Sequence, residues 1–407
     1  MRLLFLTETI PFPLDSGGRI KTFHTLRMLA GAHEVHCHAL VRDSGRMRHK
    51  SRLEALGIRV TLHDVPRTLA NVAAGIAAAV VTRRPLTVQR HMHRHILRQL
   101  RDEVASQQFD AVYCDHLSMF EYGRRLSLPV LLDAHNVEYA IVRRHAATLG
   151  RRPLRLLYER EWRALEAYER SAYRQCRVIF CVSEVDARAL CELGANPASV
   201  IAVPISVDVS AMPQPTPLVS QPNLLFVGGL RWPPNVDAVV YLVEEVLARV
   251  RLGVPDATLT VVGEAPEALR VRLAGHPGVR LVGYVDDLSP WFAASRALVV
   301  PIRSGSGMRV KILDGLARAI PVVTTRIGGE GINARDGEEW LVADDAADFA
   351  DRVVRVLRDD HLAERLRVAG PAFVQRHHDV PVVGALLLEA LRLHGPVTLP
   401  RDSGSLG

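Results

Sequence analysis

The 407-residue sequence is short of lysine and aromatic residues and has no long apolar run. Lysine accounts for 3 of the 51 basic residues, and aromatic residues make up 5% of the chain. The longest apolar stretch, residues 72–81, is about half as long as a membrane-spanning helix requires. No basic segment followed by an apolar core and a cleavage site opens the chain. We therefore expect no spanning segment, no signal peptide, and a cytoplasmic protein that reaches at most the inner face of the cell membrane.

The usual signatures of metal and disulfide proteins are also missing. The cysteines are odd in number and lack the paired spacing of a metal site, so buried reduced thiols are expected. No Asp-x-Asp motif or carboxylate cluster is present, and we expect no metal and no other cofactor. The five cysteines are Cys37, Cys114, Cys176, Cys181 and Cys191.

Arginine dominates the charge of the chain and gives it a formal net charge of +7. This charge favours anionic partners such as sugar nucleotides or an anionic lipid surface. No motif that reads nucleic acid appears, so nucleic acid is not an expected partner. A hydrophobic content of 48% is typical of a globular protein, and a chain of this length predicts two domains.

The most informative stretch is a glycine-rich loop between a predicted strand, 297–302, and a predicted helix. Its glycines let the backbone pass close to a ligand, and the helix start offers unpaired N–H groups to an anion. Arg309 and Lys311 add two cations where a cation normally costs stability, which suggests a compensating phosphate or diphosphate. Asp314 follows and could accept hydrogen bonds from sugar hydroxyls. The loop residues are Gly305, Ser306, Gly307 and Met308.

The alternative interpretation of this stretch is a helix that happens to start with basic residues over a buried apolar face. The scarcity of lysine favours the functional interpretation, because one of the three lysines lies in the loop region.

Strand-like apolar runs alternate with amphipathic helices along the whole chain, which predicts an α/β protein with doubly wound parallel sheets. The proline-rich run at 211–222 predicts a linker between a domain at 1–210 and a domain at 223–375. A helical segment at 376–399 is expected to pack back onto the first domain. The last residues, 400–407, are expected to be disordered.

Polar residues follow several predicted strands, and ligands of parallel sheets bind beyond the carboxyl ends of strands. Gly17 and Gly18 lie between a strand and a helix, although a tight turn before a capped helix explains them equally well. Asp115 ends one strand, and His135, Asn136 and Glu138 follow another. A lone histidine is more often structural, but a His-Asn pair directly after a strand favours a functional His135. In the second half, glycines follow successive strands and predict a ligand-binding edge (Gly228, Gly229, Gly263, Gly283, Gly328 and Gly329).

An apolar segment, 72–81, is followed by a basic stretch, 83–101. This order is typical of a surface that rests on an anionic membrane. A buried helix followed by a solvated one would give the same pattern.

Two segments carry a family resemblance. Residues 226–235 contain Phe-Val-Gly-Gly and Trp-Pro-Pro-Asn, and residues 307–314 contain Gly-x-Arg-x-Lys-x-Leu-Asp. With Pro-x-x-x-Gly-Gly at 13–18 and Asp-x-His-Asn-x-Glu at 133–138, the chain resembles the retaining GT-B glycosyltransferases of family 4. The closest likeness is to the envelope and exopolysaccharide sugar transferases of that family.

The resemblance implies two Rossmann-like domains that face each other across a cleft. The C-terminal domain would bind a nucleoside-diphosphate sugar, and the N-terminal domain would bind an acceptor glycan, lipid-linked sugar or small molecule. The sugar would be transferred to an acceptor hydroxyl with retention of configuration and without a metal. His135 would act beside the transferring sugar, and Lys311, Arg309 and Arg231 would neutralise the diphosphate.

The resemblance also assigns the remaining donor and acceptor contacts. Gly17 and Gly18 would approach the diphosphate, and Asp314 would bind the ribose. Gly228, Gly229, Gly263 and the 305–308 loop would line the donor site. The backbone near Tyr284 and Val285 would recognise the base. The acceptor side would include Asp115, Asn136 and Glu138.

This sequence departs from the family pattern at two places. The family has two glutamates separated by seven residues, where this chain has Ser306 and Asp314, which leaves the donor sugar unassigned. Arg231 is displaced from the usual Arg-Lys pair, so Arg309 and Lys311 are expected to supply that charge. The alternatives are a sugar-nucleotide epimerase or phosphorylase on the same fold, or a non-catalytic protein that binds sugar nucleotides.

Overall fold

The computed structural model describes residues 1–42, 44–65, 69–82, 84–148, 150, 152–213, 217–305 and 307–396. The chain forms two compact units. The N-terminal unit comprises residues 1–204 and the residues from 384 onward, and the C-terminal unit comprises residues 205–383. The predictions for Ser306, for the tail at 400–407 and for part of the 211–222 linker concern residues outside the described ones.

The N-terminal unit is built on a seven-stranded sheet in which every neighbouring pair is parallel. Its strand order is β3-β2-β1-β4-β5-β6-β7. The strands are β1 (Arg2–Thr7), β2 (Glu34–Val41), β3 (Arg59–Asp64), β4 (Ala111–Asp115), β5 (Val130–Ala134), β6 (Val178–Cys181) and β7 (Val200–Ala202).

Helices connect these strands, as parallel pairing requires. They are α1 (Gly17–Ala30), α2 (Lys50–Glu54), α3 (Leu69–Thr82), α4 (Leu86–Gln89), α5 (Arg94–Ser106), α6 (Leu117–Gly123), α7 (Glu138–Thr148), α8 (Arg152–Tyr173) and α9 (Glu184–Glu192). Helix α9 begins directly after Ser183, whose side chain accepts a hydrogen bond from the Asp186 amide.

The C-terminal unit contains a second parallel sheet, of six strands in the order β10-β9-β8-β11-β12-β13. Its strands are β8 (Asn223–Val227), β9 (Thr258–Val262), β10 (Val279–Gly283), β11 (Ala297–Val300), β12 (Val322–Thr324) and β13 (Leu341–Val342). Strand β11 ends two residues earlier than predicted, because the Ile302 amide turns back to bond the Val300 carbonyl.

The helices of this unit follow the same alternation. They are α10 (Pro233–Tyr241), α11 (Leu247–Gly253), α12 (Glu267–Leu273), α13 (Ser289–Ala293), α14 (Val310–Ala317), α15 (Ala346–Arg358), α16 (Asp360–His377) and α17 (Val380–His394). Helix α17 runs across the division at Gly384, and near its end the His394 carbonyl accepts a 3.1 Å hydrogen bond from Arg177 Nε.

The sheets form the cores of the two units. Strands β4 and β5 are buried along their whole length, as expected for apolar runs covered by helices on both faces. Each nevertheless carries a carboxylate near its end, Asp115 and Asp133, and both are buried. A buried carboxylate needs polar partners, so Asp115 and Asp133 indicate a polar site at the end of the sheet.

Each sheet has one point where the chain reverses the direction in which it adds strands. In the N-terminal unit this point lies between β1 and β4, and in the C-terminal unit between β8 and β11. Ligands of doubly wound sheets bind beyond the carboxyl ends of the strands at such points. Among the described helices, none is long and apolar enough to cross a bilayer.

Candidate active site

In the C-terminal unit, the loop after β8 meets the start of α14 at the switch point. Lys311 Nζ donates a 2.8 Å hydrogen bond to Oδ1 of Asn235 and lies 4.5 Å from the centre of the Phe226 ring. Asn235 is fixed by a 2.9 Å bond from its Nδ2 to the Gly229 carbonyl. A Cβ on Gly228 would lie 2.5 Å from Lys311 Nζ, so glycine leaves room for the ammonium group.

The electrostatics of Lys311 are those of an anion site. Burial and the neighbouring Arg309 guanidinium lower the pKa of Lys311 to about 7. In the part of the chain described, no carboxylate pairs with this ammonium, whose contacts are a neutral amide oxygen and an aromatic face. An anion beside it would raise the pKa again and offset the loss of hydration.

Arg309 brings a second cation to the same helix start. It occupies the residue before α14, and its guanidinium carbon lies 5.7 Å from the Trp232 ring centre. Its Nη1 donates to the Gly307 carbonyl. Gly305 and Gly307 have φ angles of 106° and 82°, which residues with a Cβ rarely adopt. The loop therefore wraps around the buried Arg309 side chain, with Met308 also buried.

Asp314 and Arg231, two other predicted donor contacts, are each in an ion pair. Asp314 Oδ1 accepts a 2.9 Å bond from Arg318 Nε, and burial raises the pKa of the Asp314 carboxyl although Arg318 opposes this. Arg231 is 74% exposed and pairs with Glu264 at 2.7 Å. Because Arg231 is exposed and paired, the positive charge at this end of the sheet comes chiefly from the start of α14.

The glycine edge of the sheet is built by backbone contacts. A Cβ on Gly263 would lie 2.0 Å from the Gly228 carbonyl oxygen, so the loops after β8 and β9 touch main chain to main chain. The Gly263 amide donates to the Gly283 carbonyl at 2.8 Å. Tyr284, which follows Gly283, is 57% exposed, and Val285 is half-buried. Tyr284 therefore faces solvent at the place where the prediction puts recognition of the base.

In the N-terminal unit, the Asp115 carboxylate is the centre of a polar cluster at the other switch point. It accepts hydrogen bonds from Thr7 Oγ1 at 2.7 Å and from Thr22 Oγ1 at 2.8 Å. It also contacts His135 Nε2 at 2.8 Å and His116 Nδ1 at 3.2 Å. These partners hold the pKa of Asp115 well below its usual range in spite of burial. The carboxylate is therefore charged and joins β1, α1, β4 and β5.

His135 has one ring nitrogen bonded and the other available. Burial, His116 and Lys21 lower its pKa, so the ring is neutral at physiological pH. Because the charged Asp115 carboxylate can only accept, His135 Nε2 carries the proton and donates it. The Nδ1 atom then holds a lone pair, and it is buried without a hydrogen-bond partner in the described structure. Such an atom is suited to accept the proton of a hydroxyl group.

Gly18 lies over this lone pair. A Cβ on Gly18 would be 4.0 Å from His135 Nδ1 and 3.7 Å from His116 Nε2. Gly17 is the first residue of α1, so the loop predicted from the Gly-Gly pair opens a helix next to His135. The structure thus brings together the glycine loop and the histidine, which the sequence separates by more than a hundred residues.

His116 is the charged member of the histidine pair. Burial opposes its protonation, but the Asp115 and Glu8 carboxylates outweigh burial and raise its pKa to about 10. Its ring centre lies 3.7 Å from that of His135. His116 also has a φ of 82°, an unusual conformation for a residue with a Cβ. The strained backbone turns the ring toward Asp115 and His135.

Asn136 and Glu138, predicted for the acceptor side, begin the turn into α7. Burial raises the pKa of the Glu138 carboxyl. The start of α7 is capped from α8 by Glu169, whose carboxylate accepts from the Glu138 amide at 2.9 Å and the Tyr139 amide at 3.1 Å. Glu169 therefore fixes the segment that carries these two residues.

Asp115, His116 and His135 also form a possible set of metal ligands. Each offers one ligand atom, and these atoms lie within 4.8 Å of one another. A cation there would have to replace the hydrogen bonds that orient both histidines. The expectation of a metal-free site remains a prediction.

Two features of these sites are absent from the sequence-based prediction. Asn235 holds Lys311, and its only signal was its place in the Trp-Pro-Pro-Asn segment. Lys21 Nζ is buried and paired with Asp133, which also accepts a 2.8 Å bond from Tyr113. The scarcity of lysine was the one available signal for Lys21.

Family models match both units. The model described as Glycosyltransferase Family 4 matches residues 27–211, and the model described as Glycosyl transferases group 1 matches residues 221–359. The two matches do not overlap.

Curated relatives share part of the chain. A 44.6 kDa protein of the cps region of Klebsiella pneumoniae is 27% identical over 165 residues, which cover 39% of this chain and 42% of that protein. Phosphatidyl-myo-inositol mannosyltransferase of Mycobacterium leprae is 29% identical over 198 residues, which cover 46% and 52%. The chain spans about half the length of the curated relatives it matches.

Solved structures share the fold over nearly the whole chain. HepE of Anabaena, in complex with UDP and glucose, has a TM-score of 0.66 at 13% identity and covers 96% of this chain and 99% of its own. Sucrose-phosphate synthase of Thermosynechococcus elongatus has a TM-score of 0.69 at 15% identity and covers 97% and 99%. At these identities the likeness concerns the fold, and the predicted GT-B class with two Rossmann-like domains is confirmed.

Proposed function

The chain belongs to the glycosyltransferases of family 4, group 1, and on that premise we propose that it transfers a sugar from a nucleoside-diphosphate sugar to an acceptor hydroxyl. The observation that carries the proposal is the half-buried Lys311 ammonium, with its pKa lowered to about 7 and no carboxylate beside it in the described structure. HepE binds UDP and glucose, which supports a uridine nucleotide as the first donor to test. Glycoconjugate biosynthesis is the proposed setting.

The C-terminal unit supplies the groups that stabilise the leaving diphosphate. Cleavage of the bond between the anomeric carbon and the diphosphate oxygen places negative charge on that oxygen. Lys311 and Arg309 at the start of α14 are fixed near the position proposed for it. One preorganised donor of this kind lowers a barrier by about 3–4 kcal/mol. These cations replace a metal ion in the proposal, and Asp314 binds the ribose.

The N-terminal unit supplies the groups that act on the sugar and the acceptor. The His135 Nδ1 lone pair accepts a hydrogen bond from a hydroxyl of the transferring sugar or of the acceptor. Asp115 keeps the ring in the tautomer that has this lone pair, and is a positioning residue. Retention of configuration, the acceptor contacts of Asn136 and Glu138, a cytoplasmic location and contact with an anionic membrane belong to the same proposal.

The test is a donor screen followed by two substitutions. UDP-, GDP- and TDP-sugars are added to the purified protein, and thermal shift and donor hydrolysis are measured. Lys311→Ala and Arg309→Ala should each reduce turnover about a hundredfold or more with the fold intact. Lys50→Ala is the matched control, because Lys50 is an exposed lysine paired with Glu54. Turnover at the wild-type level in both site variants would refute the diphosphate role.

The screen also separates the proposal from a non-catalytic sugar-nucleotide-binding protein. Hydrolysis of one nucleotide sugar is expected of a transferase given only water as the acceptor. Tight binding of a donor without any turnover, with or without acceptor, would favour the non-catalytic alternative.

A further inference from the structure

The N-terminal unit contains a cavity whose lining shares no residue with the His135 cluster. Its volume is about 340 Å³, and it lies between α3, α4, the start of α5 and the residues after α6. Four arginines and one histidine line it, and its described lining includes no acidic residue. These five are Arg84, Arg90, His93, Arg94 and Arg125.

The positive charge around the cavity exceeds its counter-charge. The Glu121 carboxylate pairs with two of the lining arginines, Arg84 and Arg125, and also with the neighbouring Arg124. One negative charge therefore faces three positive ones. The Glu161 carboxylate is engaged by the backbone amides at the start of α4 at 2.9 and 3.0 Å. An excess of arginine around one cavity is typical of a phosphate site.

Arg94 places a positive charge at a helix start, where it does not stabilise the fold. It is the first residue of α5, and a cation at a helix start is unfavourable. Within the residues described, its side chain has no ion pair and no hydrogen bond. An anion in the cavity would give this guanidinium a partner and remove the cost.

Part of the cavity lining is made of small residues from one helix. Helix α3 contributes Gly75, Ala78 and Thr82, which leave the space open. On other faces of the same helix, Ile76 is 48% exposed and Val81 is 83% exposed. The cavity therefore has a cationic wall and an apolar helix beside it, the combination that suits a phosphate attached to an apolar chain.

A chain of polar contacts joins this cavity to the His135 site. Arg90 Nε donates to His91 Nε2 at 3.0 Å, and that nitrogen lies 3.5 Å from a Glu8 oxygen. Glu8 is one of the carboxylates that keep His116 protonated, and the His116 ring packs against His135. The phosphate site and the proposed hydroxyl-binding nitrogen are thus parts of one polar network in one unit.

We propose that this cavity binds the phosphate or diphosphate of a phosphorylated acceptor, with Arg90, Arg94 and Arg125 as its ligands. The inference rests on the proposed function and names the class of acceptor. The phosphate ester has two sources, a lipid-linked sugar whose apolar chain follows α3 or a free sugar phosphate. Both share the same recognition chemistry.

Isothermal titration of the full chain tests the proposal with three probes. Dodecyl phosphate below its micelle concentration carries the anion and an apolar chain, inorganic pyrophosphate carries the anion alone, and dodecyl maltoside carries the chain alone. Arg94→Gln should weaken the binding of dodecyl phosphate about tenfold or more, because one charged hydrogen bond is lost. Arg163→Gln removes one exposed arginine outside the cavity and should change the affinity less than twofold.

Ala78→Met is a second, steric variant. It fills the cavity without changing charge and should also abolish phosphate binding. Tighter binding of dodecyl phosphate than of pyrophosphate supports the lipid-linked source, and equal binding supports the free sugar phosphate. Wild-type affinity in both cavity variants, or equal binding of dodecyl maltoside and dodecyl phosphate, overturns the proposal. Titration of the wild type with UDP tests the proposed function separately.

Discussion

Replacing Lys311 by methionine should make the protein more stable and a poorer nucleotide binder at the same time. Methionine has similar length and no charge, so the substitution removes the ammonium with little change of volume. The fold holds Lys311 with a pKa of about 7 against an ordinary value of 10.5. A charged ammonium at this place therefore lowers the free energy of unfolding.

The shift gives the size of the effect. A difference between 10.5 and about 7 corresponds to at most about 5 kcal/mol. Partial exposure of the side chain reduces this to about 3 kcal/mol, and the lost hydrogen bond to Asn235 subtracts about 1 kcal/mol. We expect Lys311→Met to raise the free energy of unfolding by about 2 kcal/mol at pH 7. Binding of UDP should weaken about tenfold to a hundredfold, as for one charged hydrogen bond.

The stability difference should depend on pH in a defined direction. Folded Lys311 loses its proton near pH 7, whereas the unfolded chain keeps it to near pH 10.5, so the unfolded state binds more protons between these values. The free energy of unfolding of the wild type should rise over this window relative to that of the variant. The advantage of Lys311→Met is therefore largest at or below pH 7 and disappears toward pH 10.5.

Urea unfolding at pH 6.5, 8 and 9.5 measures the difference, and calorimetry measures UDP binding. Lys50→Met is the matched control, because Lys50 is 44% exposed and should show neither effect. A stability difference that stays constant over this pH range would show that Lys311 is charged in the folded state throughout. Unchanged UDP affinity would show that the ammonium does not meet the diphosphate.

Three further outcomes are expected. Gly228→Ala should weaken UDP binding about tenfold, because the new Cβ would lie 2.5 Å from Lys311 Nζ. Gly229→Ala is the control for fold stability, because a Cβ at that position meets open space. Equal UDP affinity of Gly228→Ala and the wild type would contradict the steric argument. His135→Ala should reduce sugar transfer about a hundredfold or more while UDP binding persists, as expected for a lost proton acceptor; a kinetic assay with unchanged turnover would exclude that role. Asp314→Asn should weaken binding of UDP but not of 2′,3′-dideoxy-UDP, which lacks the ribose hydroxyls. An equal loss of affinity for both nucleotides would show that Asp314 does not bind the ribose.

Much of the fold followed from patterns in the sequence, because a buried parallel strand has a distinctive composition. The runs at 3–7 and 223–227 are apolar and continuous, and both are central strands. Boundaries were less accurate where a turn depends on tertiary contacts. Strand β11 stops at Val300, two residues before its predicted end, because the Ile302 amide turns back to the Val300 carbonyl.

The candidate sites were partly accessible from the sequence. The loop at 305–311 was visible because glycines and cations in a helix start are a local pattern. Asp115 and His135 were predicted one by one as residues at strand ends, but their contact was not, because they come from separate strands and meet only through the sheet order. Neither the tautomer of His135 nor the role of Asn235 has a sequence pattern, since both depend on distances of about 3 Å across the fold.

The contact between Gly228 and Gly263 has a consequence for how this protein can diverge. Where two stretches of backbone touch without side chains between them, the spacing of the surface that they form does not depend on the size of any neighbouring residue. In the proposed donor site, substitutions elsewhere in these loops should therefore change which sugar is accepted without altering the depth at which the nucleotide rests. A designer who varies donor choice there should keep glycine at both positions.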